Sequence, residues 1–416
     1  MLATLRDGDW ATPERLKTYP LVLLTFSVGA AVVAVATSRG GIGPNDLPLG
    51  ADFSQVWVAG KEALAGHPEA PFDIARHAAA QRAAFGPDTG VFGWHYPPYF
   101  LGVAALLARL PYLQALAVWQ FSTLALYLIA ILLLLDGSGL SRRAVVVAAL
   151  AFPAVFVNLG HGQNGFLTAA LLGGGFHLLE RRAAVAGALF GLLAYKPQFA
   201  LLLPLALLVG RHGRALAGAA ASIALMTAAS IAAFGVASWR AFYDSLGFTR
   251  AIVEQGATGF EKIQSVFAAV RLIGGSVPAA WFWQGLVAVC AVAAVLALLR
   301  SGADARVKAA GVIAALFLAT PYSLDYDMMA LAPAIALLLA HGLENGFRPY
   351  EKSALALVYG APLFARPLAT LLAAPLGVVA VVALLVVTIR YVFVEEKQPD
   401  GRSGCASANP QKLQFE

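Results

Sequence analysis

Long apolar runs separated by short polar turns fill most of this chain. They fall at about 20–37, 98–110, 113–135, 144–158, 164–179, 183–195, 197–210, 215–236, 278–299, 307–321, 327–341, 353–371 and 374–394. Runs of this length and continuity predict membrane-crossing helices, twelve or thirteen of them. The fold class expected is therefore an all-α integral membrane protein, a polytopic bundle of about twelve transmembrane helices in a single membrane domain, 1–395. The first run follows Arg6, Arg15 and Lys17 but has no small-residue cleavage site after it, so it reads as an uncleaved span.

Basic residues orient the bundle. Arg142-Arg143, Arg181-Arg182, Arg211 with Arg214, Arg300 with Arg306 and Lys308, Arg348 with Lys352, and Lys397 all become cytoplasmic together if the intervening runs pair as hairpins. The outer turns are then 38–95, 160–164, 195–198, about 237–277 and 320–327. This pattern closes only if 97–110 does not cross completely, so that segment is expected to be shallow, re-entrant or strongly tilted. Of the two long outer loops, 38–95 carries apolar positions at helical spacing in 53–66 (Phe53, Val56, Trp57, Gly60) and again in 73–85 (Ile74, His77, Ala78, Gln81). Both predict amphipathic helices lying on the membrane surface. The loop 237–277 holds Trp239, Phe242, Tyr243 and Phe248, a mixture suited to the interface, and the tail 396–416 reads as a disordered cytoplasmic segment.

Composition agrees with the pattern. Charged residues are 12% of the chain, where a soluble domain carries about a quarter, and the mean hydropathy is +0.73. The net charge of +6 is spread over short clusters between apolar runs, which argues against nucleic acid as a partner. Two cysteines, Cys290 and Cys405, have no plausible mates, so neither a disulfide framework nor a thiolate metal site is implied. No glycine-rich phosphate loop follows a strand and no His/Glu pair has metal-ligand spacing, so no cofactor or metal is expected and a nucleotide-driven pump is disfavoured.

Four polar features interrupt the apolar chain on the outer side. Asp52 precedes the helix expected from Phe53. It reads either as that helix's N-cap or as a carboxylate facing a cavity, where it could act as general base toward an acceptor hydroxyl. Lys196, in Tyr195-Lys196-Pro197-Gln198, stands in a stretch otherwise free of charge. A lysine at the centre of a span costs about 2.5–3.5 kcal/mol, so it either snorkels outward or binds an anion as a point charge. Gly160-His161-Gly162-Gln163-Asn164-Gly165 is either a plain hairpin turn or a set of amides for sugar hydroxyls and phosphate oxygens. Thr320-Pro321-Tyr322-Ser323-Leu324-Asp325-Tyr326-Asp327 is either a solvated turn capping the next helix or a dense polar patch of the site. Tyr96-Pro97-Pro98-Tyr99 restricts the backbone at the entry to 98–110, an architectural role.

The ordered set of motifs resembles glycosyltransferase family 87, polyprenol-phosphate-mannose-dependent mannosyltransferases of the GT-C superfamily. The matching residues are Ala51-Asp52-Phe53 with Trp57 and Ala59-Gly60, Leu64-Ala65-Gly66, Pro71-Phe72-Asp73, Tyr96-Pro97-Pro98, Asn158 with Gly162-Gln163-Asn164, Gly187 with Gly191-Leu192, Tyr195-Lys196-Pro197-Gln198 and Thr320-Pro321-Tyr322-Ser323, covering about residues 20–340. The resemblance implies a GT-C-like bundle in a bacterial inner membrane. It implies inverting transfer of a sugar, mannose in such enzymes, from a polyprenyl-phosphate donor to a lipid or glycan acceptor at the periplasmic face. It carries the catalytic base onto Asp52 and the donor phosphate onto a basic residue, for which Lys196 and then His161 are the candidates. Gln163, Asn164, Gln198, Tyr322, Asp325, Asp327 and Tyr96 are the expected substrate contacts. The competing reading is a secondary transporter or flippase with Lys196 and Asp327 as coupling charges at broken helices. The long, structured first outer loop favours the enzyme.

Overall fold

The computed structural model describes residues 2–43 and 46–395, and the tail expected to be disordered lies outside the described residues. The chain is a polytopic all-α membrane protein. Seven helices among the described residues are long and apolar enough to cross a membrane, or eight if Arg142–Ala151 and Pro153–His161, bent by 55° at their junction, form one span. The bend is where Pro153 removes a backbone N–H and starts a new helix at its first turn.

The expected twelve crossings are thus not all single long helices. Gly165–Leu178, Ala183–Tyr195 and Pro197–Val209 are shorter apolar helices. The first rises only about 21 Å against a hydrocarbon core of roughly 30 Å. Apolar run length, read from sequence, registers hydrophobicity and not helix continuity. In the segment 97–110 the helix, Phe100–Leu107, has 8 residues, too few to cross by itself.

Burial grades from rim to centre. Pro13–Ala36 has no buried residue and turns Phe26, Val32 and Val33 outward, the pattern of a lipid-facing helix. At the other extreme, the window spanning Asp325–Asn345 is 83% buried, so this helix and Ala305–Ala319 form the protein-enclosed axis. Helices next to this axis carry basic residues at one end and site residues at the other. Gly165–Leu178 begins beside Asn164 and ends before Arg181, while Ala183–Leu192 begins after Arg182 and leads to Lys196.

The two loops expected on the outer side differ most from expectation. Phe53–Leu64 and Ile74–Phe85 are helical as expected, and the apolar faces expected to meet lipid are packed on protein. Phe53, Val56 and Ala59 are buried against Phe100–Leu107, and Trp57 Nε1 donates to the Leu110 carbonyl at 3.0 Å. His77 and Gln81 are fully buried: His77 meets Glu62 at 2.7 Å, and Gln81 exchanges two hydrogen bonds with the Phe92 backbone. An amphipathic face shows that one side is apolar, but whether lipid or protein covers it depends on what the chain brings there.

The expected second loop is helical over its first half, because Gly213–Gln255 continues past a break at Gly235. That residue sits at φ 73°, ψ 165°, a non-helical conformation open to glycine, so one helix ends there and a second starts at once in a new direction. Beyond it, Trp239 packs on Tyr99, Phe242 on Phe72 and Phe248 on His95, with ring centroids 5.5, 6.0 and 6.0 Å apart. Aromatics expected to anchor in the interface instead join the two outer loops into one cap.

Candidate active site

Asp52 stands at the start of its helix but does not cap it. Its backbone is already helical (φ −69°, ψ −21°) and its side chain accepts nothing from the helix. The capping role is therefore corrected. The carboxylate turns instead toward the 160–165 turn, where Gln163 Nε2 donates to Oδ2 at 3.1 Å and His161 Nδ1 lies 3.4 Å from the same oxygen. The main chains interlock as well, the Asp52 N–H donating to the His161 carbonyl at 3.0 Å. Gly162 permits this contact. It takes a left-handed φ of 71°, and a Cβ there would stand 2.7 Å from Phe53 Cβ and 2.9 Å from the Gly50 carbonyl.

Behind the acid runs a buried chain of amides and phenols. Gln163 Oε1 accepts from the Tyr96 hydroxyl at 3.1 Å, and that hydroxyl accepts from Asn164 Nδ2 at 2.9 Å. Asn158 Nδ2 donates to the Gln163 carbonyl at 3.0 Å, and Asn158 Oδ1 takes the Gly165 N–H at 2.7 Å, which locks the turn. Burial, aided by the Tyr195 phenol and the Asp327 and Asp52 carboxylates nearby, pushes the Tyr96 phenol well above its ordinary range, so it stays a neutral donor. Tyr96 is thus both architectural, as part of the Pro97-Pro98 entry, and a member of the site. Asn164 Oδ1 is buried with no partner, an acceptor aimed into the cluster.

Lys196 is not a free cation. Pro197 disfavours the helical conformation at Lys196 (φ −121°, ψ 79°), so the preceding helix tightens through Leu193–Tyr195 and a new one starts at Pro197. At that break the ammonium pairs with Asp327 Oδ1, while Oδ2 takes the Leu324 N–H at 2.9 Å. Both residues are buried, and the ammonium also lies 5.1 Å from the Tyr326 ring. The pairing removes the snorkelling role, and an anion binding at Lys196 would have to compete with Asp327. His161 likewise has Asp52 as its partner and packs at a tilt against Tyr326, with ring centroids 5.6 Å apart. Tyr326 therefore stands between the acid and the ion pair, joining the turns at 160–165 and 320–327.

Residues 94–321, just over half the chain, match the model of glycosyltransferase family 87. The chain belongs to glycosyltransferase family 87. It is accordingly a glycosyltransferase built as a multi-pass membrane protein. No curated protein and no solved structure matches it significantly. Asp52, Asp325 and Asp327 lie outside the matched segment, so their place in this family-87 protein rests on geometry.

Of the remaining expected contacts, Tyr322 is half-buried, its ring 6.1 Å from that of His95, and burial with Asp327 and Asp52 nearby pushes its phenol up. Asp325 is buried, takes the Tyr326 N–H at 2.9 Å and faces Arg366 at 4.0 Å. Gln198 stays apart, its side chain making no hydrogen bond among the described residues. Sequence reading missed Gln120, whose Nε2 reaches the Gln163 carbonyl at 3.5 Å, and also Lys262 and Arg366. Arg366 did leave a signal, as a lone charge within an apolar run between Pro362 and Pro367. Lys262 left none, because its segment meets 323–325 only in the fold, through the bridge of Ile263 with Leu324.

The cap carries a titratable latch. His95 Nδ1 meets Thr249 Oγ1 at 2.9 Å and its ring stacks on Phe248. Burial, with His77 nearby, pushes His95 down to about 4. A histidine whose pKa is depressed by docking stabilises the docked cap fully above its free value of about 6.5. That contribution is lost as pH falls from there toward 4. Limited proteolysis of the 237–277 segment is expected to accelerate across this window, and His95→Gln to flatten the dependence. A flat profile in the unmodified protein would exclude the latch.

Proposed function

We propose that this protein transfers a sugar, mannose by its family resemblance, from a polyprenyl-phosphate donor to a hydroxyl of a lipid or glycan acceptor, with inversion, on the periplasmic side of a bacterial inner membrane. The observation that carries the reading is Asp52, a carboxylate released from helix capping and held at the outer mouth by Gln163 beside His161. The acceptor O–H gives its proton to Asp52 as the acceptor oxygen bonds the anomeric carbon. The bond from that carbon to the phosphate oxygen breaks, and its electron pair leaves with the polyprenyl phosphate. Gln163, Asn164 and Tyr96 supply directional hydrogen bonds beside the acid, and the cap formed by the two outer loops keeps water from competing. The Lys196–Asp327 pair fixes the floor of the site, and since each charge neutralises the other, neither is left to couple transport.

Purified protein in proteoliposomes with the host membrane's lipids and labelled polyprenyl-phosphate mannose is expected to yield a labelled product of opposite anomeric configuration. A nucleotide-linked mannose should give none. Labelling from the nucleotide sugar alone would overturn the proposed donor.

A further inference from the structure

With Lys196 spent on Asp327, the departing phosphate needs another counter-charge. We propose that Arg366 and Lys262 hold the donor phosphate from two sides at the outer mouth, an assignment that rests on the lipid-linked donor proposed above.

Arg366 lies toward the far end of Glu351–Leu372, a helix whose first turn carries Lys352, so it sits at the level of the site and not at the basic end. Its guanidinium reaches only Asp325, at 4.0 Å, and nearly half of the side chain is exposed. It donates no hydrogen bond to protein among the described residues, so its donor fork is unspent. The fork of an arginine matches two phosphate oxygens at once.

Lys262 arrives from a different element and is held rigidly. Its carbonyl accepts from the Asp325 N–H at 2.9 Å, the neighbouring Gln264 N–H donates to the Ser323 carbonyl at 2.7 Å, and Ser323 Oγ returns a bond to the Gln264 carbonyl at 2.9 Å. Its ammonium has no carboxylate within ion-pair distance among the described residues, yet it lies within electrostatic reach of His161. Asp325 in turn is within reach of Arg366, His161 and Asp52, which ties Arg366 to the mouth that holds the acid, while Lys262 is tied to it through His161 and the backbone bond to Asp325.

The cluster suits a phosphate monoester. Two cations offset the Asp325 and Asp52 carboxylates and stand where the leaving group gains negative charge, and that gain is what a transition state rewards. The loose Arg366–Asp325 contact keeps the guanidinium in place between turnovers and yields to a stronger anion. The buried Lys196–Asp327 pair could not do so without leaving Asp327 unpaired.

The test uses full-length protein in nanodiscs with a fluorescent polyprenyl phosphate and the matching polyprenol as probes. The unmodified protein is expected to prefer the phosphate by about tenfold or more, the scale of one or two charged hydrogen bonds. Arg366→Gln with Lys262→Gln should remove that preference while leaving polyprenol binding and the melting temperature unchanged. Arg366→Lys alone should keep part of it, since it retains the charge without the fork. A double variant that still prefers the phosphate would overturn the assignment alone. An unmodified protein that binds phosphate and alcohol equally would overturn the donor class and the assignment with it. Low-millimolar inorganic phosphate should leave the lipid bound; complete displacement would mark a site for the free ion and also overturn the assignment.

Discussion

Asp52→Asn is expected to lower the rate of sugar transfer by about a hundredfold to ten-thousandfold, the range over which a positioned general base acts. The substitution keeps the shape of the side chain, and its amide oxygen still accepts from Gln163, so the interlock of Asp52 with the 160–165 turn survives. What disappears is a group able to receive the acceptor's proton. Donor binding should change little, because the Gln163 and Asn164 amides and the two cations proposed for the phosphate remain. Single-turnover transfer measured beside equilibrium binding of a polyprenyl phosphate separates the two quantities. Transfer within a few-fold of the unmodified protein, at equal binding, would remove Asp52 from the base role. A helix-capping role predicts the opposite pattern, lowered stability with intact chemistry, and the helix-start geometry already argues against it.

Lys196→Ala is expected to unfold or misassemble the bundle rather than simply weaken binding. Taking one partner from a buried ion pair leaves the other charged in a low-dielectric interior, at a cost of about 3–5 kcal/mol. Asp327→Ala should cost a similar amount and also orphan the Leu324 N–H. Replacing both, Lys196→Met with Asp327→Asn, removes the two charges together and leaves an amide oxygen for that N–H. Melting of the double variant should recover most of the loss. Thermal unfolding followed by size-exclusion chromatography reads all three variants. A single Lys196→Ala variant that melts normally and loses only donor binding would return Lys196 to the phosphate site and displace Arg366 and Lys262.

These two residues show how differently the chain announced its chemistry. Lys196 was conspicuous because a charge in a long apolar stretch is costly, and the structure accounts for its survival by the partner 131 positions along the chain. The cost was readable from neighbours in sequence, but the compensation was not. Asp52 carried a weaker local signal, since an acid before a helix is ordinarily a cap. Only the 160–165 turn, brought against it by Gly162 at positive φ, shows that the carboxylate is engaged elsewhere.

The sequence by itself determined the solvent, the helical class, the placing of basic residues at helix ends and the polar turns that the fold gathers together. Each of these follows from local transfer energies and backbone rules that a single stretch of chain obeys alone. The tertiary structure decided which helices are broken, that the amphipathic loop helices bury their apolar positions in protein, that Lys196 belongs to Asp327, and that Lys262 and Arg366 come to lie beside Asp325. Those outcomes are pairings. A charge or an apolar face is satisfied by whatever the fold brings within a few ångströms, and that partner is set by packing among distant segments.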